Sequence, residues 1–596
     1  MTKKILTLTF LMAITGMMAI AQVATTYRGA FAPAPAAMWT DNWTNWDPQN
    51  AYYGAPTVNV SGIITANTTW TKNNVYLLQG LVFVDSLVTL TIEAGTVVRG
   101  DANTIISTLI IQRGGKLIAN GTPCNPIVFT SSKAAGSRVK GDWGGIVILG
   151  RGLNNLGTDV PVEGIGNSNV RGRHGGNVPN DNSGSLTYAR VEFAGYQIAV
   201  DNELNGITFG SVGSGTTVDY VQTSFGFDDA FEWFGGSVNC KHLVSYRNLD
   251  DDFDTDNGFS GTVQFALGIK DPAVSDNGTS TSEGWESDNN GTSPYTPTPK
   301  TSGKFYNVTQ IGAFRCGSNA GGITQPTAIY FRRGARLRRN TELKIYNSIL
   351  MNNWRGLIMD ADVLGNGGAA FQNNVIAMDT TTVWTGGYAG KALAAENAVT
   401  NTYLTNPANG NTIITTPCDV LTNAWDFLNP DYRPLATGSG AALAGADLTP
   451  GINLSTTLFS ANQTAELEVD VFENAVGNSN GTITVSIPVP SGFTVAVPSI
   501  ATLSSTPTSG TNGTFANLGT AYNNADWNFS LSAGYVTATS KAGISISQAG
   551  MSSLGFTIKR NTTTPAGTNT NLVVNVSGGS DSTPENNSAN NSLSTL

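Results

Sequence analysis

The chain has 596 residues, of which only 12% are charged, with 68 glycines and a formal net charge of −10. The length allows two or three domains, and the composition is that of an extracellular all-β protein with many tight turns rather than a helical enzyme. The negative charge argues against a nucleic-acid partner, which needs basic patches to displace counterions, and suits a surface bathed in divalent cations.

Residues 1–21 read as a secretory signal. Lys3 and Lys4 precede an apolar run from Ile5 to Ile20, and Ala19-Ile20-Ala21 forms a cleavage site before Gln22. The run is short for a membrane span, and no later stretch approaches the roughly 18 apolar residues of a spanning helix. The expected location is therefore secreted, extracellular or cell-surface, with no transmembrane segment. Residues 22–56 hold Trp39, Trp43, Trp46, Tyr52 and Tyr53. They are expected to cap the open end of a solenoid core; the alternative is a sugar-stacking patch.

Short strand signals separated by Gly or Asn turns begin near residue 57: Leu90–Asp101 (LTIEAGTVVRGD), Leu109–Thr122 (LIIQRGGKLIANGT) and Pro126–Ser131 (PIVFTS). Tyr220–Glu232 (YVQTSFGFDDAFE) and His242–Asp254 (HLVSYRNLDDDFD) repeat at an offset of 22 residues. The offset matches Val221 with Leu243, Asp228 with Asp250, Asp229 with Asp251, Phe231 with Phe253 and Glu232 with Asp254. A period of that length in β-type runs is one coil of a parallel β-helix. Further coils are expected at Leu186–Gly195, Phe305–Gly312, Ile329–Ala335, Ile345–Met351 and Phe371–Met378, with Asn307, Asn347, Asn373 and Asn374 at turns that tolerate left-handed φ.

The succession TIEAGTVVRG, KLIANGT, PIVFTSS and GDWGGIVILG resembles right-handed parallel β-helix proteins of the pectate-lyase-like superfold. Residues 57–450 most closely resemble uncharacterised secreted β-helix proteins of Bacteroidota. The resemblance implies the fold and leaves function open, because that superfold carries lyases, hydrolases, adhesins and capping proteins. Insertions at 152–184, 271–303 and 379–425 are expected to leave the solenoid as loops.

After a linker at 451–461, residues 462–580 alternate apolar and polar positions at Leu467–Val471, Ile483–Ile487, Phe493–Val497, Trp527–Leu531, Phe556–Ile558 and Leu572–Val576. Six or seven such strands read as an immunoglobulin-like β-sandwich, followed by a polar tail at 581–596. The ending GGSDSTPENNSANN resembles the close of repeat-type Ig-like domains of bacterial surface proteins, which implies a spacer. The fold class is therefore all-β: a right-handed parallel β-helix followed by an Ig-like β-sandwich. Cys124, Cys240, Cys316 and Cys418 show no metal-type spacing. They are read as buried thiols, with disulfides as the alternative.

Chemistry concentrates in one acidic cluster: Asp228, Asp229, Glu232, Asp250, Asp251, Asp252, Asp254 and Asp256, with Glu286 and Asp288 aligned on Asp254 and Asp256 through WESDNN. Stacked coils rise by roughly 4.8 Å, so these carboxylates repel unless a cation, a base or protons intervene. Three readings follow. The acids are turn residues, or Asp228, Asp250, Asp254 and Glu286 hold Ca²⁺, or Asp228, Asp229 and Asp251 act on a glycan as acid and base. The Asp228-Asp229 pair superficially resembles the paired aspartates of polygalacturonases, but their GHG motif is missing. Pectate lyases need Ca²⁺ and an arginine base, and Arg332, Arg333, Arg336, Arg338 and Arg339 are expected several coils away. His242 reads as a stacked structural imidazole, and His174 has no visible partner. The preferred function is a structural or binding protein, adhesive or glycan-binding, with an extracellular polysaccharide or surface glycan as partner. The alternative is a polysaccharide lyase or glycoside hydrolase working on the face at 228–256.

Overall fold

Tyr220–Ser224 and His242–Tyr246 pair as parallel strands in the computed structural model, with Val221 opposite Leu243 and Ser224 opposite Tyr246. Further round the same coils, Phe231 faces Phe253 and Glu232 faces Asp254. The 22-residue repeat is thus one turn of a solenoid, and its register is the one the sequence sets. The described residues run from 23 to 596. The segments 277–280, 317–322, 325–332, 378–399, 436–440, 442–447, 474–478, 499–507 and 582–586 and a few shorter stretches lie outside the description. The signal reading of residues 1–21 and Arg332 fall outside it too.

Parallel pairing continues from Val58–Ile64 to Thr412–Ile414 in one 25-stranded ladder. A typical coil is a strand bent once, then a turn, then a short third strand. The bend falls on a single left-handed residue, and pairing on either side stacks these residues in a column: Tyr188 (φ 46°), Tyr220 (55°), His242 (50°) and Phe265 (59°), then Asn307 (53°), Asn347 (49°) and Asn373 (55°). Bulky side chains disfavour positive φ. Here the rings compensate by stacking, with centroids 4.3 Å apart for Tyr188–Tyr220, 4.1 Å for Tyr220–His242 and 5.2 Å for His242–Phe265.

Strand alternation fills the solenoid. Val221, Leu243, Ala266 and Val308 point inward beside Phe231, Trp233, Phe253 and Trp285, all fully buried. Each valine, leucine or phenylalanine among them contributes about 1.5–3 kcal/mol by leaving water. The outward positions Val244, Leu267, Ile269, Ile311 and Ile349 are buried as well, under Phe31 and Trp43. The aromatic N-terminal segment is therefore a strap along the flank rather than an end cap. Arg28 donates to Thr412 Oγ1 (2.6 Å), Ala30 N to Thr309 Oγ1 (2.9 Å) and Asn45 N to Gln222 Oε1 (2.9 Å), while Arg99 Nη1 donates to Gly54 O (2.5 Å). The strap runs from the last coils back to the first. Trp43, 1% exposed, is lost to any sugar-stacking role.

Leu448–Leu454, expected to end the solenoid and enter a linker, is instead an edge strand pairing with Thr464–Glu473. The latter pairs with Met551–Arg560, which pairs with Phe493–Ala496. A second, seven-stranded sheet is mostly antiparallel and includes Ile483–Pro488, Asn569–Gly578 and Ser588–Thr595. Leu467, Val469 and Phe556 of the first sheet share one core with Val485, Leu572 and Val574 of the second. The cysteines depart from the buried-thiol reading: Cys240 is a buried thiol, but Cys124 is exposed and Cys418 is disulfide-bonded. The Cys316 side chain lies outside the described residues. Among the described residues no helix is long and apolar enough to cross a membrane.

Candidate functional site

The third face of the coil is built by period-two alternation. In Phe231–Phe234, Phe253–Asp256 and Trp285–Ser287 the aromatic residues Phe231, Phe253 and Trp285 face the core, which turns Glu232, Asp254 and Glu286 outward in one row. The row continues on the following coil with Arg336, opposite Glu286. The turns that lead into these strands add Asp228, Asp229, Asp250 and Asp251. The turn acids are linked coil to coil: Asp229 Oδ1 accepts the Asp251 N–H at 2.8 Å, and Asp251 Oδ1 accepts the Glu283 N–H. Each carboxylate thereby fixes the backbone of the next turn.

The arginines are nearer than the sequence spacing implies. Trp285–Ser287, inside the expected 271–303 loop, is itself a solenoid strand, and it pairs directly with Ala335–Leu337. The arginines from Arg333 to Arg339 therefore stand on the coil after Glu286, although Arg338 and Asp288 are 50 residues apart in the chain. Arg333 Nη1 meets Glu283 at 2.5 Å, Arg338 meets Glu286 and lies 2.7 Å from Asp288, and Arg339 is 2.6 Å from Asp288. Lys270 lies 3.4 Å from Asp252. Two halves result. Asp252, Glu283, Glu286 and Asp288 are paired with cations, whereas Asp228, Asp229, Glu232, Asp250, Asp251, Asp254 and Asp256 form no ion pair among the described residues.

Burial and mutual repulsion push the carboxyls of the unpaired half well above their ordinary range. Burial dominates throughout; the next cause is Asp250 for Asp228, Asp228 for Asp229, Asp254 for Glu232, and Glu286 for Asp254. Arg338 shows the reverse. Burial alone would lower it, but Glu286 and Asp288 outweigh burial and hold the guanidinium more firmly protonated than usual.

The four residues singled out as calcium ligands do not form one set. Oxygen atoms come within 4.8 Å of one another in three overlapping groups: Asp228, Asp229 and Asp250; Asp229, Glu232 and Asp254; and Asp251, Asp254 and Glu286. Asp229 and Asp254 are thus the bridging members, each shared by two groups, and Asp229, Glu232 and Asp251 join the set beside the four expected ligands. Glu232 carries a signal the ligand assignment passed over, its alignment with Asp254. The donors are all hard oxygens, and Asp250 Oδ1 and Asp254 Oδ1 are buried with no hydrogen-bond partner. That chemistry fits Ca²⁺, which takes six to eight oxygens. The same groups hold Asp228, Asp229 and Asp251, the residues weighed as acid and base.

Both histidines have structural surroundings. His242 stacks in the corner column, with Nδ1 2.7 Å from Asp219. His174 is buried, its Nδ1 2.8 Å from Ser211 Oγ, and its imidazole is lowered to about 4 by burial and then by Arg113.

Among solved structures the chain is similar to the Dettilon tailspike protein at 9% identity, covering 83% of this chain and 88% of that one with a TM-score of 0.19. It is also similar to tailspike protein 2 of Escherichia coli O157:H7 bacteriophage CAB120, at 10% identity, 87% and 64% coverage and a TM-score of 0.17. AvmM, which catalyses macrocyclization in alchivemycin A biosynthesis, aligns at 10% identity over 25% of this chain and 89% of its own, with a TM-score of 0.15. Similarity this low carries no functional argument. No curated protein matches the chain. The family model of the pectate-lyase-like beta helix domain matches residues 62–425. That stretch spans well over half of the chain and the whole acidic face, so the protein belongs to the pectate-lyase-like beta-helix family.

Proposed function

We propose that this protein is a secreted or cell-surface polysaccharide-binding solenoid whose acidic face holds Ca²⁺. One observation carries the reading. Six carboxylates, Asp228, Asp229, Glu232, Asp250, Asp251 and Asp254, converge from two consecutive coils without ion-pair partners among the described residues, and two of them keep a buried oxygen with no hydrogen bond. Acids that merely decorate turns would sit apart and solvated. A dication neutralises this repulsion and leaves coordination positions for sugar hydroxyls.

Binding is favoured over cleavage by the same electrostatics. A lyase base must accept a proton, and Arg338, tied to two carboxylates, is held protonated. A glycosidase sets its acid and its base apart by different surroundings, and here burial is the leading influence on all six carboxyls alike. The C-terminal two-sheet unit fits an Ig-like spacer that presents the solenoid outside the cell. The resemblance to secreted Bacteroidota proteins and the signal at 1–21 support that location.

The test is thermal. Ca²⁺ at 100 times its Kd adds about 2.7 kcal/mol to the folded state. Melting of the full chain should therefore rise in millimolar Ca²⁺ relative to excess chelator, and Asp254→Asn should blunt the rise. Binding on a glycan array should follow the same dependence. Melting that is indifferent to Ca²⁺ would sink the calcium reading.

A further inference from the structure

Beside the acidic row, the 152–184 insertion folds back over the ends of the third-face strands and encloses a cleft of about 580 Å³. That volume lies within the range of small-molecule sites. One wall is apolar: Leu156, Val160 and Val162 from the insertion and Phe234 from the solenoid. The other is polar: Asp256 and Asn290 from the solenoid, Asn202 from a neighbouring hairpin, and Glu163. Leu156, at the mouth, is 51% exposed. Asn290, itself buried, keeps a carbonyl oxygen with no hydrogen-bond partner. No lysine or arginine lines the cleft.

We propose that this cleft binds an uncharged sugar unit, with hydroxyl or acetamido groups and no carboxylate. The inference rests on the polysaccharide-binding reading and names the sugar class. A hexose ring offers an apolar face and a rim of hydroxyls. The two walls match those halves, and the amide and carboxyl oxygens of Asn290, Asn202, Glu163 and Asp256 accept hydroxyl protons. A uronic acid would bring a third carboxyl group beside those of Glu163 and Asp256, with no lysine or arginine in the lining to receive it. The family likeness alone would not separate these two sugar classes; the charge of this lining does.

Calorimetry on the full chain in Ca²⁺ tests this with galactotetraose, cellotetraose and chitotetraose against tetragalacturonate. At least one neutral tetramer should bind at least tenfold more tightly than the uronate. Leu156→Trp, which fills the mouth from an exposed position, should weaken that binding at least tenfold while leaving the Ca²⁺-induced rise in melting temperature intact. Glu163→Gln combined with Asp256→Asn should narrow the gap between neutral and uronate tetramers. Equal or tighter uronate binding, wild-type affinity in Leu156→Trp, or no binding of any neutral tetramer would each overturn the cleft assignment. Neutral binding that survives chelation, with melting insensitive to Ca²⁺, would instead remove the calcium reading and leave the cleft.

Discussion

Glu286 has its carboxyl pushed up to about 7, chiefly by burial and further by Asp288, with Arg338 and Arg336 pulling against them. A folded-state value above the ordinary carboxylate value means the native state binds more protons than the unfolded chain between those two values. Stability is then greatest at the acidic end of that window and falls as pH rises through it. Asp229, Glu232, Asp251 and Asp254 act with the same sign. In chelator, melting of the solenoid should therefore decline from about pH 4.5 to about pH 7, and saturating Ca²⁺ should flatten the slope. A melting temperature that climbs over that interval without Ca²⁺ would mean the carboxylates are solvated or compensated. The acids themselves are legible in the sequence because equal offsets place Glu232 under Asp254. Their division into paired and unpaired halves is not, because the insertions hide that Glu286 and Arg336 are neighbours.

At the scale of the coil, the left-handed corner decides where each strand bends. Tyr220 has rings on both sides, Tyr188 and His242, each within 4.3 Å between centroids. Aromatic pairs add about 0.5–1.5 kcal/mol each, so Tyr220→Ala removes about 1–3 kcal/mol and leaves a residue strained at positive φ with no ring to hold it. Tyr220→Asn should recover part of that loss, since asparagine already occupies the equivalent corner at Asn307, Asn347 and Asn373. Denaturant melts of the two variants decide it; an alanine variant as stable as wild type would show that the stack contributes nothing. The repeat reveals the coil because Val221 and Leu243 must both face inward, and a one-residue slip would expose both. It says little about the corner, since tyrosine, histidine, phenylalanine and asparagine share one backbone conformation there for different reasons. In the C-terminal unit, alternation finds strands such as Leu467–Val471 inside Thr464–Glu473. It misses Leu448–Leu454, whose Thr449-Pro450-Gly451 resembles a turn and whose half-buried edge position needs no clear pattern.

Across the whole molecule, one short segment ties together coils far apart in the chain. The strap contacts Gln222 from Asn45 and Thr412 from Arg28, at sequence separations of 177 and 384 residues. No local pattern can announce such contacts, so its aromatic residues suggest a cap or a sugar platform until the outward-facing Val244, Leu267 and Ile311 are seen to need a cover. A parallel sheet is stable when both faces are dry, and here the strap supplies the outer layer. Trp43 is its anchor: its indole N–H donates to Trp39 O at 2.8 Å, and its ring meets Tyr188 and Tyr220 edge-on at 6.0 and 5.9 Å. Trp43→Ala should cost roughly 3–5 kcal/mol, the range for a buried aromatic replaced by alanine. Because the strap leans on the corner column, the loss should couple to Tyr220: the Trp43→Ala and Tyr220→Ala changes together should cost less than their sum. Limited proteolysis should cut first within residues 28–50 of the Trp43→Ala variant, before any coil opens. Strict additivity, together with a cleavage pattern like that of wild type, would mean the strap lies on the solenoid without holding it.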